Sequence, residues 1–483
     1  MSPFTHPRQV RGSSLTIMHV QYLTCIAISV LLTALAGCGN SSSHSGAPSA
    51  SSTPLTLPPG ATASSGPVLS SADWTTYHRD NARTGYLASL PDPDRLTHAW
   101  STQLDGAVYA EPLVVAGRVL VATEGNSLYS LDARTGQVQW RTNMGSPVPL
   151  SQLPCGNIDP LGITGTPVYD PGTGLVFAVA EVSGPAHILV GIDVDTGQIR
   201  VRRSVDPAGM ESAPHQQRAA LALSKGMVYV AYGGLFGDCG NYNGRVVASR
   251  TDGRGPLLTY QVPTTREGGI WAPPGPVVDT AGHLYVSVGN GEATGGNWDH
   301  SDSVLRLSPT LHLEDGFAPE RWPQDNASDA DLGSMSPVLL PEGLVYANGK
   351  SGFGYLLHAD RLGGVGGQAL VEPVCNAFGG AALVGSIVFV PCSDGLRQIQ
   401  VGPGVRLTPG WQAPSSVTGS PVVGGHTVYS LDPGGTLYAL DIQSGKVRAS
   451  MSVNTTSRFA TPTLSGDHVF VGTLTGVVAV IGS

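Results

Sequence analysis

The chain has 483 residues, a formal net charge of −9, only 13% charged residues, and as many as 64 Gly and 37 Pro. That turn-rich composition suits short strands and argues against long helices. The negative balance and the lack of any Lys/Arg-rich run argue against nucleic acid as a partner.

Residues 1–37 read as an export signal. Arg8 and Arg11 give a positive start, and the apolar stretch from Tyr22 to Ala36 is too short for a stable membrane anchor. It ends in Leu35-Ala36-Gly37-Cys38, which resembles a bacterial lipobox, so Cys38 is expected to carry lipid after cleavage. Met18 is an alternative start of translation. Residues 38–72 are rich in Ser, Pro, Gly, Ala and Thr and carry no acidic or basic charge, the composition of a flexible tether. The expected localisation is outside the cytoplasm, held to the bacterial membrane by the lipid on Cys38.

Residues 73–483 carry a phrase repeated eight times. A small or polar residue, then Pro or Ala, then apolar residues, opens a strand at Pro112, Pro167, Ala219, Pro276, Pro337, Ala381, Pro421 and Pro462. The intervals are 55, 52, 57, 61, 44, 40 and 41 residues, and a β-rich run follows each marker. Such a period, with several short strands per unit, predicts an all-β, eight-bladed propeller of four-stranded antiparallel blades. Strands are called a to d from the axis outward. In blade 1 they are expected at Pro112–Val115, Arg118–Thr123, Ser127–Leu131 and Gln137–Thr142.

The turn between c and d reads Asp132-Ala-Arg-Thr135-Gly136, and recurs at Asp193–Gly197 and Asp441–Gly445. Asp and Thr or Ser cap the turn, and Gly supplies positive φ. Trp140 can then dock between blades, with Val201 and Ala449 as its reduced counterparts. After Pro462 the chain supplies only three strands. The orphan strand Leu96–Leu104, with its own Trp100, is expected to pair with Val477–Ile481 and close the ring.

The Asp-x-x-Thr-Gly-x-x-x-Trp repeat resembles the PQQ-like β-propeller repeat, shared by quinoprotein dehydrogenases and by the outer-membrane assembly lipoprotein BamB. The lead-in from Asp73 to Tyr86 is similar to the one common in that superfamily. Segments Cys155–Pro167 and His215–Arg218 resemble a branch of exported PQQ-repeat proteins. The resemblance spans about residues 73–483 and implies the fold; enzymes and scaffolds share it.

The long loops 145–164, 233–244, 289–302 and 317–333 all fall on the face where strand a begins, and insertions collect on binding faces. At the mouth of the axial channel on that face we expect Glu111 and Arg218, with His215, Gln216 and Trp271 just upstream and Lys350 turned inward. This funnel could orient an anionic or planar ligand. Alternatively, Glu111 and Arg218 pair to line a wet channel. Segments 290–302 and 237–243 are rich in oxygen ligands of the kind Ca²⁺ takes, but in no known spacing, and no metal is assigned.

Cys155, Cys239, Cys375 and Cys392 remain after export, where disulfides persist. Hairpin register places Cys375 near Cys392, and the two loops on the long-loop face place Cys155 near Cys239.

Quinoprotein dehydrogenases, by the resemblance, carry adjacent bridged cysteines, a Ca²⁺ ligand set and a catalytic Asp. None of these is matched here, and there is no haem or hydrolase motif. The expected function is therefore a non-catalytic binding or scaffold protein, monomeric, with an envelope protein or small ligand on the long-loop face. The alternative is a sugar or alcohol oxidoreductase using PQQ with Ca²⁺.

Overall fold

The computed structural model describes residues 66–483. The signal segment 1–37, Cys38 and the tether as far as residue 65 lie outside the described residues. Eight antiparallel sheets form the blades of a propeller. Blade 1 consists of Leu113–Val115, Arg118–Ala122, Ser127–Asp132 and Val138–Asn143. The a strands of blades 2 to 7 begin at Val168, Ala222, Val277, Val338, Ala382 and Val422. Blade 8 takes Thr463–Ser465, His468–Thr473 and Gly476–Gly482 from the C-terminal end. Its fourth strand is Leu96–Gln103, antiparallel to the third with Thr102 opposite Val477. The ring is thus closed by the predicted strand.

Burial follows the distance from the axis. Strand a of blade 1 is wholly buried, whereas its d strand is exposed or half-buried throughout. Three blades gain an extra segment, that of blade 7 being Tyr86–Leu87 beside Val423–Gly424. His215–Gln216 adds to Gly233–Gly234 in blade 3, and Gly364–Val365 runs parallel to Phe317–Ala318 at the rim of blade 4.

The recurrent c–d turns also couple neighbouring blades. Asp132 Oδ1 accepts from the Thr135 N–H and hydroxyl, both at 2.9 Å. Gly136 then takes φ +72°. Trp140, on strand d of blade 1, lies against Gly197 of blade 2, where a Cβ would come within 2.8 Å of the indole. Its Nε1 donates to Val194 O at 3.0 Å. Trp100 repeats the arrangement from blade 8 onto Gly136, donating to Ala133 O at 3.1 Å. Trp411 repeats it from blade 6 onto Gly445, donating to Ile442 O at 2.9 Å. The repeated glycine therefore serves two needs, a left-handed backbone and a bare surface for a neighbour's ring. Val201 holds the same place against Gly253.

Segment Asp73–Leu87 is the feature that most alters the interior. It enters at the a–b turn face, where Asp73 Oδ1 accepts from Ala116 N at 3.1 Å. It rises along the axis to Tyr77 and His78 and descends to pair Tyr86 with Val423 in parallel. It bonds with the innermost strands of seven blades, or with the residues just ahead of them. Trp74 exchanges backbone hydrogen bonds with Val114, and Thr75, Asn81, Thr84 and Gly85 accept from Tyr169, Val278, Leu383 and Val423. Arg83 donates to Leu221 O and Pro276 O at 3.0 and 3.1 Å. The His78 ring bridges Ala381 O and Thr461 Oγ1, both at 3.1 Å. With its Nδ1–H donating to a carbonyl and Nε2 accepting from a hydroxyl, His78 is the neutral tautomer. Burial pushes its pKa down to about 3, consistent with that state. The channel is therefore stoppered by the chain itself.

Among the described residues there are two disulfides. Cys155–Cys239, with Cα atoms 5.9 Å apart, ties the loop entering blade 2 to the b–c loop of blade 3. Cys375–Cys392, at 5.7 Å, ties the approach to blade 6 to the end of its b strand.

Candidate functional site at the axial mouth

The stopper divides the expected funnel residues into two groups. Glu111 faces inward, onto the stopper. Its carboxylate accepts from Trp74 Nε1 and from the His78 backbone N–H, both at 2.8 Å. Burial pushes its pKa well above the ordinary carboxylate range, against the pull of those two donors and of Arg83. Glu111 and Arg218 do not pair. His215 is also turned away: it is buried edge-on to Tyr232 and Tyr242, and burial lowers its pKa to about 4.

Arg218, Gln216, Trp271 and Lys350 do meet the mouth. Arg218 Nη2 donates to Gln216 Oε1 at 3.1 Å, and its guanidinium lies 5.6 Å from the centre of the Phe459 ring. Trp271 packs on Phe459 with ring centres 6.2 Å apart. Lys350 Nζ stands 5.4 Å from the centre of the Trp271 ring and pairs with Asp331 at 2.9 Å and with Asp329. Burial alone would lower the Lys350 pKa; the two carboxylates outweigh it and hold the ammonium charged. Arg458 completes the collar, 4.3 Å from the Phe378 ring and 5.6 Å from that of Phe459. The result is a half-circle of rings interleaved with cations, each near pair attracted through the ring quadrupole.

Sequence reading missed Tyr109, Phe378, Arg458 and Phe459. A signal for three of them existed. Tyr109, Phe378 and Phe459 each stand three residues ahead of a strand marker, at Pro112, Ala381 and Pro462. The repeat register therefore places them on the mouth.

Behind the collar lies a buried polar chain that sequence reading also missed. Glu124 accepts from Gly162 N at 2.6 Å and Thr164 Oγ1 at 2.8 Å, and burial together with nearby Glu181 raises its pKa to about 8. Glu181 accepts from Gln217 N at 2.7 Å. Across its hairpin stands His187, 3.6 Å from Glu181 and 2.7 Å from Asp206. Burial alone would lower the His187 pKa, yet the two acids raise it to about 10, so it is held as an imidazolium.

The oxygen-rich loops spend their oxygens locally. Asp238 accepts from Tyr242 Oη at 2.5 Å, Asp299 from Ser301 Oγ at 2.5 Å, and Asp302 from Leu332 N at 2.8 Å. Among the described residues no three His, Cys, Asp or Glu side chains converge to hold a metal ion.

The sequence profile described as "Outer membrane protein assembly factor BamB" matches residues 92–293 and 406–482, more than half of the chain. The chain belongs to this family of PQQ-like propellers. No curated protein sequence matches it. Among solved structures it is similar to BamB from Moraxella catarrhalis, at 15% identity and a TM-score of 0.57, covering 80% of this chain and 100% of that one. It is also similar to a europium-containing methanol dehydrogenase, at 15% identity and a TM-score of 0.66, covering 85% and 98%. A quinohemoprotein alcohol dehydrogenase from Comamonas testosteroni gives 15% and 0.62, covering 85% and 80%. At such identities the likeness is one of fold.

The dehydrogenase neighbours raise the question of PQQ with Ca²⁺, and the mouth does not fit that group. Above Tyr77 the open space bounded by Thr166, Arg218, Ser457 and Phe459 is about 20 Å³. An organic ligand of ordinary size needs roughly 300 Å³ or more. A larger cavity of about 270 Å³ lies on the outer wall between blades 5 and 6, beside Pro373, Ile399, Pro409 and Trp411, away from the collar.

Proposed function

We propose that the protein is a non-catalytic binding or scaffold protein of the bacterial cell envelope, anchored by lipid on Cys38, whose axial mouth receives a segment of a partner protein. The observation that carries this reading is the collar of Phe378, Arg458, Phe459 and Trp271 above a stoppered axis. Half-buried aromatic rings beside an exposed Arg, at the rim of a shallow surface, are the types that anchor protein interfaces. Loops pinned by Cys155–Cys239 on the same face would add preorganised contact area. Family membership and two disulfides agree with a protein exported from the cytoplasm.

The test is cross-linking in intact cells followed by recovery of the propeller. Phe378→Ala combined with Phe459→Ala should abolish a cross-linked product that survives Arg134→Glu, a change at an exposed turn of the opposite face. Equal cross-linking by both variants would reject the mouth as the docking surface. Among the described residues no helix is long and apolar enough to cross a membrane. Cys38→Ser should therefore move the protein to the soluble fraction; retention on membranes would reject the lipid anchor. Dye reduction by purified protein supplied with PQQ and Ca²⁺ would reject the non-catalytic reading altogether.

A further inference from the structure

The small pit at the centre of the collar has an unusual balance of donors. Ser457 is 6% exposed, and its hydroxyl has no hydrogen-bond partner although the residue lines the pit. The Tyr77 ring forms part of the floor, with its hydroxyl turned toward Gly380 and Ser420. Thr166 Oγ1 accepts from Glu111 N at 2.9 Å, and among the described residues its own proton is given to nothing. Arg218 makes one hydrogen bond, to Gln216, and has no ion pair among the described residues. The nearest acids are engaged elsewhere: Glu124 with Gly162 and Thr164, Glu181 with Gln217 and His187. A partly buried guanidinium and two hydroxyls with protons to give thus border a space that holds one or two atoms. Buried polar groups of this kind are ordinarily satisfied, so the set is complete only with an acceptor. The complement of a cation and two O–H donors is an oxygen carrying negative charge.

Size narrows the choice. A sugar ring or a fused aromatic system cannot enter about 20 Å³, but the end of a short side chain can. The apolar rim of Phe459 and Trp271 would then cover the atoms behind that oxygen.

We propose that the axial pit is a receptor for a single carboxylate presented by a partner polypeptide, with Arg218 supplying charge and Thr166 and Ser457 supplying hydroxyl donors. This rests on the reading of the mouth as a docking surface and names the chemistry it selects. The carboxylate comes either from an acidic side chain or from a chain terminus.

The test uses the propeller with both disulfides intact and three blocked peptides of one sequence with an aromatic residue on each side of the variable position. One has Glu at that position and an amidated end, one has Gln and an amidated end, and one has Gln and a free C-terminal carboxylate. Binding is read by calorimetry, with Trp fluorescence as a second readout. The Glu or free-carboxylate peptide is expected to bind at least roughly tenfold more tightly than the neutral peptide, and whichever does so identifies the source. Acetate should compete. Ser457→Ala should weaken binding several-fold while leaving the melting temperature unchanged or higher, because it removes a hydroxyl with no partner in the free protein. Arg218→Met should remove the preference for charge. Equal binding of all three peptides, or competition by inorganic phosphate but not acetate, overturns the proposal. The two levels remain separable. If the cross-link of the previous section is lost in the double Phe variant but unaffected by Arg218→Met and Ser457→Ala, the docking face stands and the carboxylate pit falls. If neither set matters, the docking reading itself falls.

Discussion

Replacing Glu111 with Ala tests the central claim about the interior, that a polar segment is fastened into the axis by one buried acid. Two donors, the Trp74 indole N–H and the His78 backbone N–H, each reach that carboxylate at 2.8 Å, and Glu111 is 3% exposed. Leaving a buried donor unmade costs about 1–3 kcal/mol, so the pair implies a loss of roughly 2–6 kcal/mol. Arg83, buried beside them, also loses a neighbouring acid. Glu111→Gln keeps one acceptor oxygen and should fall between wild type and Ala. Urea unfolding followed by Trp fluorescence gives the free energies, and limited proteolysis between residues 73 and 87 reports release of the stopper. Trp74→Phe removes one donor by itself, so Trp74→Phe and Glu111→Ala together should cost less than the sum of the single changes. A loss under about 1 kcal/mol for Glu111→Ala, or strict additivity with Trp74→Phe, would refute the fastening argument.

Further expectations follow from other parts of the ring. Gly197→Ala forces a side chain into a left-handed position at φ +72° and against Trp140, and should destabilise by about 1–2 kcal/mol from backbone strain alone, more if the indole is displaced; an unchanged urea midpoint would show that the Trp docking does not matter. His187 binds its proton more tightly folded, at about 10, than its ordinary 6.5. Its stabilisation is therefore complete below about pH 6.5 and is lost as the pH rises toward 10. His187→Gln should flatten that limb of the stability curve, and a limb left unaltered would refute the assignment. Glu124, raised to about 8, has the same sign, and its contribution fades between about pH 4.5 and 8. Removing Cys375–Cys392, which spans 17 residues, should cost about 3 kcal/mol, and removing Cys155–Cys239, which spans 84, somewhat more, by denaturation with and without reductant.

How far each feature could be read from the sequence depends on how far apart its partners stand along the chain. The c–d turns were legible because Asp132, Thr135 and Gly136 settle their geometry within five residues. The strand markers were legible because each announces the next apolar hairpin, and the closing strand Leu96–Gln103 followed from counting strands in blade 8. The Trp docking was half legible. Trp140 announced itself beside its own turn, but the glycine it needs is Gly197, one blade away, and Trp411 went unnoticed because its own turn lacks the Asp-x-x-Thr-Gly pattern.

The lead-in shows where that logic ends. Trp-Thr-Thr-Tyr-His-Arg-Asp-Asn-Ala-Arg-Thr-Gly-Tyr has neither a helical nor an alternating apolar period, so local rules make it a loop. Its conformation is imposed by partners 303 and 383 residues away, at Ala381 and Thr461, that exist only after the ring has closed. The same segment sets the depth of the mouth, because Tyr77 forms part of its floor. Glu111 looked like a funnel acid when only its register was known, and becomes a fastening once Trp74 and His78 occupy the axis. The eight-fold repeat announces the scaffold through interactions inside each blade. Whether that scaffold offers a deep pocket or a shallow docking pit is decided by fourteen or so residues whose place in the axis is fixed by remote partners. In propellers of this kind, the stopper is therefore the first segment to compare when asking which members keep room for a cofactor and which present a surface.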